Sequence, residues 1–333
     1  MRIASTLWLF AACAALSGQT PPVSILQVQA EKMVTYYDDT SDLSKWGTLP
    51  GPVPLPANFT NPTFKWRITL GDLVSVNGQP IKGNYVSVSR TLNATTDMTP
   101  GRVLMDLAQG CPFEQIHSFM LPDGTVIGTI AAVGTSTVGR PPGAPSTALA
   151  GTGVVVGGSG AFLGIRGQAG VTGGSGVRNA SITEDPAYRR VNGGGKMSWF
   201  FQIIPAVWPE VVSLPTGPAV YHAQDWSPVT AANPARAGEW VIMNVSGLGP
   251  TKPSLDPGKP FPAYGEPLCL VNSPVEATVN GKPTQTFNAV GWPETVGMYR
   301  VDFLMPADIK PGMASVSLSA AWINGPEVNI PVR

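Results

Sequence analysis

The sequence is poor in the side chains on which metal and nucleophilic chemistry depend. Its 333 residues include three cysteines and two histidines. So few cysteines exclude a four-thiolate zinc site, and no C-x-x-C or H-x-x-x-H spacing supports a mixed one. A serine nucleophile would need His117 or His222 as its base, and no G-x-S-x-G motif accompanies either histidine. We therefore expect no metal site and no cofactor.

Charge is also scarce, because charged residues make up 13% of the chain and 21 basic residues face 21 acidic ones. Nucleic-acid-binding domains carry a basic surface, so we expect no nucleic-acid partner. Long apolar runs are confined to the N-terminus, where Arg2, the run 3–16 and the small residues Ser17 and Gly18 have the layout of a secretory signal peptide. The run is too short for a membrane span. The sequence therefore predicts a secreted or periplasmic protein, with lipidation of Cys13 as an alternative.

Removal of that segment would leave Cys111 and Cys269, one in each half of the chain. An exported protein permits a disulfide. Nothing in the sequence brings two such distant residues together, so we expect two free thiols.

Glycine and proline are abundant, with 38 and 34 copies, while 43% of the residues are hydrophobic. This composition indicates many short strands joined by turns, and helical periodicity longer than two turns is absent. Period-two alternation over Phe64, Trp66, Ile68 and Leu70 predicts a half-buried strand. Asn77-Gly78 and Asp123-Gly124 predict hairpin turns. The chain is expected to be all-β.

The glycine-rich stretch 146–176 is compatible with only a few backbone conformations. Gly158, Gly160 and Gly164 give G-x-G-x-x-x-G rather than the dinucleotide fingerprint G-x-G-x-x-G. The following residues carry a glycine at every third position and would form a poor helix. The pattern favours two strands joined at 157–160, with glycines where backbones approach closely.

Within this stretch, GGSGAFLGIRGQA (residues 157–169) resembles the G-G-T-G-x-F-x-x-A-R-G-x-A motif of the allene oxide cyclase and dirigent barrels. The segments 71–86 and 118–129 are similar to the early strand pair and the central hairpin of that family. The resemblance covers residues 33–204 and implies an antiparallel barrel of about eight strands. The run 197–204 is expected to close it.

The second half has a different organisation. Four prolines in 205–218 predict a stiff linker after the barrel. Beyond it, 234–250, 275–283 and 297–312 resemble the immunoglobulin-like C-terminal domain of uncharacterised secreted acidobacterial proteins. That resemblance implies a β-sandwich and no known chemistry. The expected order is a signal peptide (1–18), a leader (19–32), the barrel (33–204), the linker (205–218) and the sandwich (219–333).

The barrel resemblance also implies site residues. Dirigent proteins have an aspartate at the end of the first strand and a cavity-facing arginine in the glycine motif, which match Asp39, or its neighbour Asp38, and Arg166. In a strand running from Phe162, Phe162 and Arg166 would share a face. Some dirigents carry a second aspartate where Gly160 stands here, and the cavity glutamate of allene oxide cyclases has no secure counterpart. These departures favour binding over turnover.

We therefore expect a small apolar molecule inside the barrel, lined by Phe64, Trp66, Asp72, Tyr85, Phe162, Arg166 and Trp199. One alternative is an isomerase or cyclase that uses Asp39, or Asp38, with Arg166. Another is an inert structural or adhesion module of the cell envelope. His117, near Glu114, would be a proton carrier, a surface residue or a hydrogen-bonded core histidine. A homo-oligomer formed through the barrel is also left open.

Overall fold

The computed structural model describes residues 23–37, 64–92, 112–135, 152–175, 177–181, 184–264 and 266–333. These residues are all-β, as the sequence predicts. The one helical element among them is a single 3₁₀ helix of five residues, Pro186–Arg190.

The described residues of the first half form ten strands. They are β1 (Ser24–Tyr37), β2 (Phe64–Val76), β3 (Gln79–Pro80), β4 (Lys82–Leu92), β5 (Pro112–Met120), β6 (Val126–Thr135), β7 (Thr152–Gly160), β8 (Arg166–Ser175), β9 (Arg178–Ser181) and β10 (Gly195–Ile204). Eight of them form a closed antiparallel barrel in the order β2-β4-β5-β6-β7-β8-β10-β1, and β1 pairs back with β2. β10 joins β8 to β1, so the predicted closing strand is confirmed.

Both predicted hairpin turns are present. Asn77 and Gly78 have φ values of 50° and 82°, as a tight turn between antiparallel strands requires. At the second turn, the backbone N–H of Thr125 donates to Oδ1 of Asp123 at 2.8 Å. The junction of β7 and β8 differs from expectation, because the turn occupies 161–164 rather than 157–160.

The barrel wall also begins earlier than expected. β1 starts at Ser24, so 24–32, placed by the sequence in a leader, pairs with β10 and with β2. At the glycine-rich stretch, a Cβ on Gly158 would collide with the carbonyl oxygens of Thr129 and Phe162. The close approach of backbones that the glycines suggested is therefore present.

In the second half, the described residues form fourteen further strands. They are β11 (Glu210–Val211), β12 (Ser213–Leu214), β13 (Gly217–Pro218), β14 (Val220–His222), β15 (Trp240–Ser246), β16 (Thr251–Lys252), β17 (Leu270–Val271), β18 (Val275–Val279), β19 (Lys282–Thr284), β20 (Thr286–Gly291), β21 (Met298–Leu304), β22 (Gly312–Ala320), β23 (Ile323–Asn324) and β24 (Val328–Val332). A seven-stranded sheet (β11, β14, β15, β16, β17, β20, β21) and a five-stranded sheet (β18, β19, β22, β23, β24) enclose one apolar core. A barrel followed by a sandwich is the predicted architecture.

The segment 205–218 is not a free tether. Val211 pairs with Val245 at the edge of the seven-stranded sheet and is buried in the sandwich core. Trp208, only three residues earlier, packs against the barrel core. The prolines are compatible with this arrangement because an edge strand needs fewer backbone donors than a central one.

A turn of the sandwich packs against one end of the barrel. Ala321, Trp322 and Ile323 belong to the apolar cluster of the barrel. The indole N–H of Trp322 donates to Oε1 of Gln79 at 2.6 Å, and the backbone N–H of Asn324 donates to Oγ of Ser24 at 3.1 Å. The two units therefore share an apolar contact bordered by hydrogen bonds.

Candidate ligand site in the barrel interior

Strand alternation decides which side chains enter the barrel. On β4, Tyr85, Ser87 and Ser89 are buried while the residues between them are more exposed, and Gln115 and His117 follow the same rule on β5. Successive side chains of a strand point to opposite faces. The interior is therefore apolar near the sandwich and increasingly polar toward the other end.

The end near the sandwich is filled with aromatic rings. Phe119 and Phe162 are fully buried, with ring centroids 5.2 Å apart. The ring of Trp322 lies 6.4 Å from that of Phe119. This end of the interior is covered by the second unit and is lined by aromatic rings.

His117 lies deeper along the same axis and is completely buried. Its ring centroid is 4.9 Å from that of Tyr85, 4.9 Å from Trp199 and 4.8 Å from Phe201. Within the described residues, neither ring nitrogen has a hydrogen-bonding partner. Burial lowers the pKa of His117 to about 3, so the ring is neutral near pH 7. This histidine is thus buried without a hydrogen-bonding partner in the described ranges.

Two neighbours of His117 add polar atoms to this layer. The indole N–H of Trp199 is buried and likewise has no partner in the part of the chain that the structure describes. The hydroxyl of Tyr85, whose ring is 4.5 Å from that of Trp199, donates to Oε1 of Gln115 at 3.3 Å. Burial raises the pKa of Tyr85 to about 12. The layer offers neutral donors and acceptors between aromatic walls.

A polar rim follows at the far end. Nε of Arg67 donates to Oγ of Ser89 at 2.7 Å, and the hydroxyls of Thr35 and Thr69 are 3.0 Å apart. Sequence reasoning missed Arg67, because the alternation of β2 had suggested that Ile68 and Leu70 point inward. The alternation of β2 is visible in the sequence, but it separates two faces of the strand without indicating which of them faces the barrel interior.

The outer face at β2 is apolar because a second segment covers it. We call residues 177–181 and 184–194 the outer strap. Its strand β9 pairs with the end of β1, where Tyr36 is 2% exposed although it points away from the interior. Ile68 lies opposite Tyr36 in the register of β1 and β2. Ile68 and Leu70 are thus partly buried beneath the strap, whereas Leu73 and Val76 of the same strand belong to the barrel core.

Asp72 is bound by this strap and does not line the interior, contrary to expectation. Its register partner is Glu31, on the outer face. Arg190 donates to its carboxylate through Nε at 2.9 Å and through Nη2 at 3.0 Å, and Nη2 of Arg189 makes a further short contact. Burial opposes ionisation of Asp72, but the two guanidinium groups outweigh it and lower its pKa.

Arg166 is exposed at the start of β8, so the expectation that it shares a face with Phe162 is wrong. That expectation assumed a continuous strand, and the turn at 161–164 interrupts the alternation. Of the predicted lining residues, Tyr85, Phe162 and Trp199 do meet in one cluster. Phe64 and Trp66 begin β2, opposite Leu92 and Arg90, and their side chains are outside the description.

Asp38 and Asp39 lie outside the described residues, as does Cys111. Cys269 is a buried free thiol in the sandwich core. Across the described ranges, no three His, Cys, Asp or Glu side chains converge as metal ligands would. Nor does any helix in those ranges have the length and apolarity needed to cross a membrane.

The resemblance to the cyclase and dirigent barrels, and to the immunoglobulin-like domain, rests on the motifs quoted above. The eight-stranded closed barrel and the two-sheet sandwich agree with the fold that it implies. Comparison with known proteins found no matching family model, no matching curated protein and no matching solved structure.

Proposed function

We propose that this is an exported binding protein whose barrel holds a small, mostly apolar molecule bearing one hydroxyl or carbonyl group. The observation that carries the proposal is the layer formed by His117 and Trp199, whose buried nitrogens have no partner among the described residues. Buried polar groups without partners are rare, and each costs about 1–3 kcal/mol. A ligand that hydrogen-bonds to these atoms would remove that cost.

The chemistry of the surrounding walls narrows the ligand class. Tyr85, Trp199 and Phe201 present ring faces and edges around His117. Such walls suit a ring-shaped apolar body, because aromatic rings contribute large contact areas in defined geometries. His117 is neutral, so it suits a neutral polar group on the ligand.

Binding is better supported than turnover. The isomerase or cyclase alternative needs Arg166 inside the barrel, and Arg166 is exposed. A general acid or base works best with a pKa near the working pH. The pKa values of His117 and Tyr85, about 3 and about 12, leave both groups neutral and far from that condition.

Native mass spectrometry of the purified protein tests the proposal. We expect a fraction of the chain to carry an added mass that organic solvent releases. His117→Phe should lose this mass, because it removes both ring nitrogens while keeping a ring of similar size. Glu114→Gln, on the exposed face of the same strand, is the matched control and should keep it.

A wild-type mass equal to that of the bare chain, with no change in tryptophan fluorescence across a panel of phenols, sterols and terpenoid alcohols, would contradict binding. That result would favour the inert structural module. N-terminal sequencing of protein recovered outside the cytoplasm tests export separately, with a start near residue 19 expected.

A further inference from the structure

A second group of aromatic rings lies on the outer face of the seven-stranded sheet of the sandwich. Val241 and Val301 point into the sandwich core. By strand alternation, Trp240 on β15 and Arg300 and Asp302 on β21 point the other way. This outer face is separate from the barrel interior and has no part in the function proposed above.

The rings form two pairs. Trp226 and Trp292 are 5.9 Å apart at an interplanar angle of 79°, and Trp240 and Phe287 are 5.9 Å apart at 67°. Large aromatic side chains are usually covered in a monomer, but Trp226 is 46% exposed and Phe287 is 73% exposed. We call these four aromatic residues, together with Arg300, Asp302 and Asn288, the aromatic face.

The two aromatic pairs lie toward opposite ends of the aromatic face. Arg300 lies over the ring of Trp226, 4.8 Å from its centroid, whereas Trp240 is opposite Leu304 in the strand register. The four residue steps from Arg300 to Leu304 span about 13 Å at the usual strand rise. The aromatic face can therefore contact an elongated ligand at two places.

The polar groups between the pairs neutralise one another. Arg300 donates to Asp302 through Nε and Nη2, both at 2.7 Å, and Nδ2 of Asn288 donates to Oδ2 of Asp302 at 2.6 Å. Because the charges are paired, the aromatic face favours neither a polyanion nor a polycation. Asp302 is 5% exposed, so it holds the partly exposed guanidinium of Arg300 and amide of Asn288 in place beside the rings.

The backbone holds Trp226 in an unfavourable conformation. Its φ of 62° lies in the left-handed region, which is uncommon for a bulky residue. The local turn maintains it, since the N–H of Trp226 donates to the carbonyl of His222 at 2.9 Å and Oδ1 of Asp225 accepts from the N–H of Ser227 at 2.9 Å. Such strain is characteristic of functional positions.

We propose that the aromatic face binds a neutral polysaccharide. The C–H faces of a pyranose ring are apolar and stack on indole rings, while neighbouring hydroxyls hydrogen-bond to the guanidinium of Arg300 and the amide of Asn288. A stable protein partner would call for a larger continuous apolar area, and a nucleic acid would call for unpaired positive charge. The sandwich would then attach the barrel to a carbohydrate surface.

The test is co-sedimentation of the full-length protein with insoluble neutral polysaccharides, namely β-1,4-glucan, β-1,3-glucan, chitin and mannan. We expect retention on at least one of them. Trp226→Ala, Trp292→Ala and Phe287→Ala should each weaken it by about tenfold, as loss of a central aromatic contact does. Tyr188→Ala removes an aromatic residue of the barrel that is 54% exposed and should change nothing.

Phe287→Ala keeps the test valid if a tryptophan variant fails to fold, because Phe287 is the most exposed of the four rings. Retention on none of the four polysaccharides would overturn the proposal. So would retention unchanged in all three aromatic variants, or adsorption to charged matrices alone. His117→Phe should leave polysaccharide retention intact, which separates this outcome from that of the barrel proposal.

Discussion

The two histidines occupy opposite chemical environments. In the sandwich, His222 has Glu239 within 3.1 Å of Nδ1 and the carbonyl of Asn233 within 3.2 Å of Nε2. In the barrel, His117 lies among the rings of Tyr85, Trp199 and Phe201, and neither of its ring nitrogens has a partner among the described residues. Histidine is therefore a hydrogen-bonded core residue in the sandwich, whereas in the barrel it is a buried polar group with no partner in the part of the chain that the structure describes.

The buried His117 predicts a pH dependence of stability. Its pKa falls from 6.5 in the unfolded chain to about 3 in the folded one. Between these values the unfolded state binds more protons, so its contribution to stability is fully present above pH 6.5 and is lost as the pH falls toward 3. Between pH 6.5 and pH 3, we expect His117 to lower the free energy of unfolding by about 1.4 kcal/mol for each unit by which the pH falls.

Urea unfolding of the wild type and of His117→Phe at several pH values between 3.5 and 7.5 measures this slope. Only the difference between the two proteins reports on His117, because other groups titrate in both. Equal slopes would show that the ring is hydrated or hydrogen-bonded in solution.

Asp72 supports a prediction about the outer strap. Asp72→Asn removes the negative charge that faces Arg189, whose side chain is only 10% exposed. Leaving a largely buried guanidinium without its carboxylate should lower the free energy of unfolding by about 2–3 kcal/mol. Arg190→Ala is the control, because this partner of Asp72 is 59% exposed and should cost less than about 1 kcal/mol. If denaturant melts showed equal losses of stability for Asp72→Asn and Arg190→Ala, the burial of Arg189 would not account for the effect of Asp72.

At the scale of secondary-structure elements, the glycines of β7 and β8 serve different purposes. A Cβ on Gly158 would collide with the carbonyl oxygens of Thr129 and Phe162, whereas a Cβ on Gly173 would meet nothing. Glycine is thus needed for close backbone approach at the first position and not at the second.

Gly158→Ala should therefore destabilise the protein by about 1–3 kcal/mol, as overpacking does. Gly173→Ala should change stability by no more than about 1 kcal/mol, in the stabilising direction, since it only restricts the unfolded chain. Thermal unfolding followed by far-ultraviolet circular dichroism compares the two. Similar melting temperatures for both variants would mean that β6 and β7 separate easily at this point.

At the scale of the whole molecule, Trp322 couples the two units. It is 8% exposed and packs into the apolar cluster of the barrel although it belongs to the sandwich. Trp322→Ala should lower the free energy of unfolding by about 3–5 kcal/mol. Trp226→Ala, which removes an exposed tryptophan, is the matched control and should cost far less.

The same contact predicts that the wild-type barrel and sandwich unfold together. Tryptophan fluorescence and circular dichroism should report a single transition, and proteases should cut slowly within 205–218 because Val211 is paired and buried. In Trp322→Ala the two probes should report separate transitions. Rapid cleavage of the wild type into two folded halves would contradict this coupling.

Self-association of the barrel stays a prediction. Val86, Ile116, Val133, Val154 and Val156 lie on its outer face and are each at least 37% exposed. Sedimentation velocity on the purified protein would measure the oligomeric state.

The sequence by itself determined the fold class, the order of barrel and sandwich, and the turns at Asn77-Gly78 and Asp123-Gly124. Turn chemistry and strand periodicity are local properties, so they can be read without the rest of the molecule. It also identified Tyr85, Phe162 and Trp199 as members of one cluster.

Only the tertiary structure decided which face of each strand is enclosed. The alternation of β2 is the same whether Arg67 or Ile68 points inward, and the choice depends on the outer strap, which lies more than a hundred residues away along the chain. The turn at 161–164 places Arg166 in solvent. One end of the barrel is covered by Trp322, which is 243 positions from its hydrogen-bonding partner Gln79. Burial is a property of the assembled sheets, and no local pattern contains it.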